Sequence, residues 1–190
     1  MTEEYRYDVE ILHLLVSPSH AYFGRARDGA ADVPTTDADA AEVVAGKGIV
    51  GDRFFGKAAH MDAAVTLFAV ESLEAIAAEL GAEPFNPLLA RRNVVLRGAH
   101  LVPLLGQDFV LESGGEAVAF HGGRHAQPCA WMNEMLAPGA HASMRGRGGI
   151  RCRALSSGTI HRGPAVLVSP VPLDPSKAGE ASLLRPSRLP

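Results

Sequence analysis

The stretch Asp108-Phe109-Val110-Leu111-Glu112-Ser113-Gly114-Gly115-Glu116-Ala117-Val118-Ala119-Phe120 decides the fold class. Its flanks, Asp108 to Leu111 and Glu116 to Phe120, have strand character, and Ser113-Gly114-Gly115 between them is a hairpin signal. Short strands bounded by turns recur on both sides. Val9 to Val16 reads as a mostly buried strand. Glu42 to Ile49 has strand character and runs into the turn Gly51-Asp52-Arg53-Phe54-Phe55-Gly56, and Ala64 to Ala69 is a further strand. Arg91-Arg92-Asn93-Val94-Val95-Leu96-Arg97-Gly98 is a short strand with basic residues at its entrance. Ile150 to Leu155 and Ala165 to Ser169 complete the series, with a turn at Ser156 to Gly158. The clearest helix is the one in which Val70, Leu73, Ile76, Ala77 and Leu80 keep helical spacing and Gly81 marks the end. Strands this short, with turns this close, predict a mainly β, barrel-like fold or curled sheet carrying one or two helices.

The 190 residues suffice for one core. Residues 1–170 are therefore read as a single domain, and the tail 171–190, with repeated Pro, Ser and Arg, as extended or mobile chain. Ser17 to Asp39, with Gly24, Gly29, Pro34 and scattered charges, predicts a long surface excursion, and such loops are commonly functional. The formal net charge of −3 argues against general nucleic-acid affinity. No apolar run reaches membrane-spanning length and the N-terminus carries acids rather than a hydrophobic leader, so a cytoplasmic protein with no membrane role is expected. Two cysteines in separate contexts make no disulfide framework. Lysine occurs only at 47, 57 and 177, so nearly all positive charge is arginine, the better holder of phosphate and carboxylate, and an anionic ligand is favoured.

One cysteine stands out within Gln127-Pro128-Cys129-Ala130-Trp131-Met132-Asn133. Pro128 suits a first helical position, and Trp131, Met132, Met135 and Leu136 give the following turns an apolar face. Cys129 would then sit among the free N–H groups of a helix start, which stabilise the thiolate that attacks sulfur or binds a soft metal. The alternative is a small buried cysteine filling space under Trp131. His125 is the nearer histidine in sequence to act as proton acceptor. His121, His125 and Cys129 recur every four residues, but Gly122, Gly123 and Pro128 prevent one helix from aligning them as metal ligands. Cys152 alternates with Ile150 and Ala154 and is assigned to core packing.

Four segments, Gly51-Asp52-Arg53, Arg91-Arg92-Asn93, Pro128-Cys129 and Gly146-Arg147-Gly148-Gly149-Ile150-Arg151, in this order and at these separations, resemble the MOSC domain family. That domain is found at the C-terminus of molybdenum-cofactor sulfurases and in small stand-alone bacterial proteins. The likeness runs from Val9 to Ser169 and includes the Ala137-Pro138-Gly139 turn and Ser156 through Ile160. It implies a β-barrel, a functional cysteine at Cys129, and a role with sulfur or the molybdenum cofactor, a pterin with a terminal phosphate and two sulfurs on the metal. Arg53, Arg91, Arg92 and Arg147 would supply donors to the phosphate, Asn93 would face a pterin edge, and Cys129 would be the soft metal ligand. Gly51-Asp52-Arg53 reads equally as turn architecture, and Arg91-Arg92 equally as a solvated strand entrance. Gly146 to Gly149 permits close backbone approach to an anion. Some relatives carry a second cysteine three residues before the one matching Cys129; here that position is Ala126, so no local Cys-x-x-Cys cycle exists.

The expectation is a stand-alone MOSC protein whose Cys129 carries sulfur as a persulfide or ligates molybdenum. It would work as a sulfur carrier or transferase, or as a component of a molybdenum-dependent reductase. Its partner would be a sulfur donor or an electron-transfer protein, because no flavin, haem or iron–sulfur segment is evident and the chain is too short for a pyridoxal-phosphate desulfurase domain. The alternative from another class is a non-catalytic module that binds a pterin-type anion and delivers the cofactor to an enzyme.

Overall fold

Alternation along the strands determines which side chains enter the core. In β9 (Ile150–Ala154), Ile150, Cys152 and Ala154 are buried while Arg151 and Arg153 lie on the other face. The computed structural model describes residues 4–182. Its other strands are β1 (Tyr5–Val16), β2 (Thr36–Asp37), β3 (Ala40–Val44), β4 (Gly48–Ile49), β5 (Val65–Ala69), β6 (Val94–Arg97), β7 (Asp108–Ser113), β8 (Glu116–His125), β10 (Gly158–His161) and β11 (Gly163–Ser169). Seven of them close a barrel: β1 pairs with β11, and the ring continues through β7, β8, β9, β5 and β6 back to β1.

Every pair in this ring is antiparallel except β5–β6, which is parallel. A parallel pair needs a crossover, and α1 (Val70–Leu80) supplies it directly after β5. Gly81 ends that helix at φ 61, with its N–H reaching the Ala77 and Ala78 carbonyls. At the β7–β8 hairpin both Gly114 (φ 59) and Gly115 (φ 84) take the positive φ that a tight primed turn demands. Inside the barrel lie Ile11, Leu67, Leu96, Leu111, Phe120, Ile150 and Leu167. The short sheet β10–β3–β4 adds Ala41, Val43, Ile49 and Ile160 to this same core. A second cluster forms outside the barrel, where Phe68 and Val95 meet Val70, Leu73 and Ile76 of α1, Trp131 and Met132 of α2 (Trp131–Met135), and Ala140 of α3 (Ala140–Ser143). β5 is consequently buried on both faces.

Several boundaries differ from the sequence expectation. Glu42 to Ile49 is not one strand but the end of β3, a turn and β4, because Gly46 (φ 68) and Gly48 (φ 97) reverse the chain there. The first strand starts at Tyr5, since Tyr5 to Ile11 pair in register with β11 while Arg6, Asp8 and Glu10 stay exposed and interrupt the apolar pattern. Ser17 to Asp39 is a surface excursion, yet it is anchored: Ser17 and Ala21 are buried, and β2 pairs with β1. The segment after Pro170 is not loose chain as far as Ser182. Leu173 and Ala178 are buried, the Leu173 N–H donates to Tyr7 Oη at 2.6 Å, and the Ser182 N–H donates to the Gly146 carbonyl at 2.9 Å. Residues 183–190 lie outside the described residues.

The approach of β9 to β5 gives a stability test. A Cβ on Gly149 would lie 2.3 Å from the Leu67 carbonyl oxygen at φ +89, whereas Gly115 at φ +84 has nothing within 4 Å. Backbone strain and overpacking each cost about 1–3 kcal/mol. The strain is common to both positions, so Gly149→Ala should lose about 1–3 kcal/mol more than Gly115→Ala in urea unfolding. Equal losses would contradict the close approach.

Candidate functional site

A buried polar framework carries the site. The Asp52 carboxylate is fully buried: Oδ1 accepts from the Phe54 N–H at 3.1 Å, and Oδ2 accepts from Arg53 Nη1 at 3.2 Å and Asn93 Nδ2 at 3.1 Å. Asn93 also donates to the Leu15 carbonyl at 3.1 Å, and its Oδ1 accepts from the Thr66 N–H and hydroxyl at 3.1 and 2.9 Å. Both ends of that amide are thus committed to β1, β5 and the Gly51–Arg53 turn. Asn93 holds the framework together and does not line the cleft, contrary to the pterin-edge expectation.

Arg91 and Arg92 are not a solvated strand entrance; both are buried. Arg91 follows the Pro87–Ala90 turn of 3-10 helix and takes φ 52, unlike every other non-glycine among the described residues. The αL backbone sends its side chain to the excursion, where Nη2 donates to Ser17 Oγ (2.8 Å) and the Ser19 carbonyl (2.9 Å), and Nη1 donates to Thr35 Oγ1 (3.2 Å). The Arg91 carbonyl accepts from Arg53 Nη2 at 3.1 Å. Arg92 donates to the carbonyls of Gly148 (2.9 Å), Ala90 (3.1 Å), Ala126 (3.2 Å) and Gln127 (3.4 Å). It tethers the residues just before Cys129 to those just before β9. Burial pulls its pKa down to about 10, so it remains charged at neutral pH.

These residues surround a cleft of about 170 Å³ on the outer face of the barrel, lined by Arg53, Arg91, Arg92 and Arg151 together with Cys129, Tyr22 and His20. Among the described residues no carboxylate lines it; Asp52 lies behind Arg53. Arg53 and Arg151 lie over the Phe54 ring at 4.8 and 6.0 Å. Tyr22 stacks on Trp131 with centroids 5.2 Å apart and donates its hydroxyl to the Leu89 carbonyl at 2.6 Å, closing the excursion over α2. Burial raises the Tyr22 phenol and lowers the His20 imidazole, the latter helped by the neighbouring Arg53 charge. Both are neutral near pH 7.

Cys129 is exposed at this cleft, not buried under Trp131. The helix-start expectation needs correction. α2 begins at Trp131, and the Met132 N–H donates to the carbonyl of Cys129 itself at 3.0 Å. The charged groups that share the cleft with the thiol are arginines. His125 ends β8 opposite Ile150 and does not line the cleft; the histidine that lines it together with Cys129 is His20. His121 pairs with Asp108 at 2.7 Å, and among the described residues no group of three His, Cys, Asp or Glu side chains could hold a metal.

Arg147 is likewise elsewhere. It pairs with Glu79 of α1 and donates to the Ser143 carbonyl (2.8 Å), Ser143 Oγ (2.9 Å) and the Gly179 carbonyl (3.3 Å), joining α1, α3 and the C-terminal segment. The glycines beside it serve backbone packing rather than an anion: a Cβ on Gly148 would meet the Ala126 carbonyl at 2.3 Å. The arginine of this motif that reaches the cleft is Arg151. Its outward phase relative to Cys152 was visible in the sequence, but an outward strand arginine ordinarily faces water.

Residues 45–167 match the family model of the MOSC domain, and the chain belongs to that family. The structure resembles the YuaD protein from Bacillus subtilis, with a TM-score of 0.66 and 19% identity over 89% of this chain and 98% of that one. It also resembles YiiM from Geobacillus stearothermophilus (TM-score 0.57, 19% identity, 84% and 74% covered) and YiiM from Escherichia coli (0.55, 17%, 92% and 76%). No curated protein matches the sequence. No helix among the described residues is long and apolar enough to cross a membrane.

The two thiols differ in access. Cys152 is fully buried, and burial pushes its thiol well above the usual range. Limited alkylation near neutral pH, read by peptide mass spectrometry, should label Cys129 at least tenfold faster than Cys152 (order of magnitude). Cys152 should react only on unfolding, and comparable labelling in folded protein would contradict this placement.

Proposed function

We propose that this MOSC protein carries sulfur as a persulfide on Cys129, in the service of sulfur or molybdenum-cofactor chemistry. The observation that supports the reading best is the exposed thiol at a cleft lined by four guanidinium groups and no carboxylate. A carrier must be reachable by donor and acceptor, and a persulfide is anionic once deprotonated, so the surrounding positive charge stabilises the loaded state. Loading is an exchange reaction without net redox change. The thiolate attacks the outer sulfur of a donor persulfide, an Sγ–S bond forms, the donor S–S bond breaks, and the donor sulfur leaves as a thiolate. Neutral His20 is the available acceptor for the thiol proton.

Ligation of molybdenum is the second reading, and the arginine lining favours it. About 170 Å³ is well below the roughly 300–1,000 Å³ of pockets that enclose drug-sized ligands. The residues therefore fit the anionic end of the molybdenum cofactor, with its ring system outside the enclosed volume. Arg53, Arg91 and Arg151 would hold a phosphate, and Cys129 would be the soft ligand. When bound, the cofactor would supply two-electron redox chemistry at its metal. A donor of sulfur in the first reading, or a protein donor of electrons in the second, is part of this proposal.

Protein purified from a cofactor-producing host should gain one sulfur atom in intact mass after incubation with cysteine persulfide. Cys129→Ser should abolish the gain and Cys152→Ser should leave it unchanged. Sulfur uptake that survives Cys129→Ser would overturn the carrier reading. Stoichiometric molybdenum lost in the same variant would favour the ligand reading.

A further inference from the structure

We propose that the sulfur donor to Cys129 is a small thiosulfonate anion, thiosulfate in its simplest form, with Arg151 as the residue that holds its sulfonate oxygens. The inference rests on the carrier reading above and names the substrate class of that site. It starts from how the four cleft arginines spend their donors. Arg53 is engaged by Asp52 and the Arg91 carbonyl, Arg91 by Ser17, Ser19 and Thr35, and Arg92 by backbone carbonyls. Among the described residues, Arg151 takes no hydrogen-bond acceptor and no carboxylate; its contact is the Phe54 ring.

Arg151 also has an unfavourable neighbour. In the β8–β9 ladder its cross-strand partner is Arg124, and neither is paired with an acid. Like charges directly opposite each other on one sheet face repel, and an anion placed between them removes the penalty. Arg124 is exposed, whereas Arg151 is half-buried and lines the cleft. The free cationic face thus runs from solvent inward towards the space that Cys129 borders.

The size of the space and the nature of the nucleophile then select the ligand. About 170 Å³ suits a tetrahedral oxyanion bearing one further atom. Sulfate or phosphate would satisfy the arginines but give Cys129 nothing to attack. A thiosulfonate satisfies both, since its oxygens accept from Arg151 while its outer, sulfane sulfur is electrophilic. The Cys129 thiolate attacks the sulfane sulfur and the Sγ–S bond forms. The S–SO₃ bond breaks and sulfite departs with the electron pair, leaving Cys129 as the persulfide anion. Two negative charges enter on thiosulfate and two leave on sulfite, so no oxidant or reductant is needed. Arg151 neutralises charge on both the incoming and the leaving oxyanion.

The test compares two donors on the full chain, by intact mass and by sulfite release: thiosulfate, and cysteine persulfide, whose transferable sulfur bears no sulfonate. Wild type should load one sulfur from either donor, releasing one sulfite per persulfide from thiosulfate. Arg151→Gln should lower the ratio of the thiosulfate loading rate to the cysteine-persulfide loading rate by roughly tenfold to a hundredfold, the loss expected for a hydrogen bond to a charged group, because only thiosulfate presents sulfonate oxygens to it. Excess sulfate should inhibit the thiosulfate reaction of wild type competitively and spare the other, a readout independent of any variant's folding. Loading from cysteine persulfide but not from thiosulfate would overturn this inference and leave the carrier reading intact. Loading from neither would overturn the carrier reading. An equal ratio in wild type and Arg151→Gln would remove Arg151 from the role.

Discussion

The Arg92 guanidinium ties the site to the fold. It is buried without a carboxylate, an arrangement that is costly unless its N–H groups are met, and the carbonyls of Ala90, Ala126, Gln127 and Gly148 meet them. Those acceptors come from three places far apart in sequence: the turn before β6, the segment before Cys129 and the glycine pair before β9. Gly148 and Gly149 carry no side chain because the Ala126 and Leu67 carbonyls occupy the space where a Cβ would be. One buried cation therefore fixes the register of a cysteine-bearing segment against two barrel strands.

The same arrangement leaves positive charge unneutralised. Carbonyl dipoles satisfy hydrogen-bond donors without cancelling a full charge, so Arg92 still contributes its field to the cleft beside it. Arg91 and Arg151 add to that field, while Asp52 offsets Arg53 and, in part, Arg91. Burial lowers the pKa of each of these arginines, as expected for cations withdrawn from water next to one another, and all remain protonated at neutral pH. The barrel thus holds a cationic surface with an exposed thiol at its edge. The excursion from Ser17 to Asp39 is part of this device, because Arg91 holds its start and Tyr22 folds it onto Trp131.

What the sequence revealed was what local pattern controls. The Gly114-Gly115 hairpin, the β5–α1 junction with its Gly81 cap, and the inward phase of Cys152 each follow from spacing within one element. The order of four motifs was enough to point to the family and to bring Arg53, Arg91, Arg92 and Cys129 into view. What escaped depended on partners distant in sequence. Asn93 looked like a ligand contact because its obligations to Leu15, Asp52 and Thr66 are tertiary. Arg147 and Arg151 belong to one motif, and only the position of Glu79 on α1 decides which of them is occupied and which is free. Pro128 suggested a helix start, but Cys129 and Ala130 intervene before α2 begins at Trp131.

The central claim is that the arginine cleft beside Cys129 is an anion site. Anomalous diffraction at the selenium edge, from crystals soaked in selenate with excess chloride present, tests it most directly, because the tetrahedral anion reports its position without relying on chemistry at the thiol. The account predicts a selenium peak within hydrogen-bond reach of the Arg151 guanidinium, inside the space bounded by Arg53, Arg91 and Cys129. Selenate found only at other arginines, with the cleft holding water alone, would contradict it.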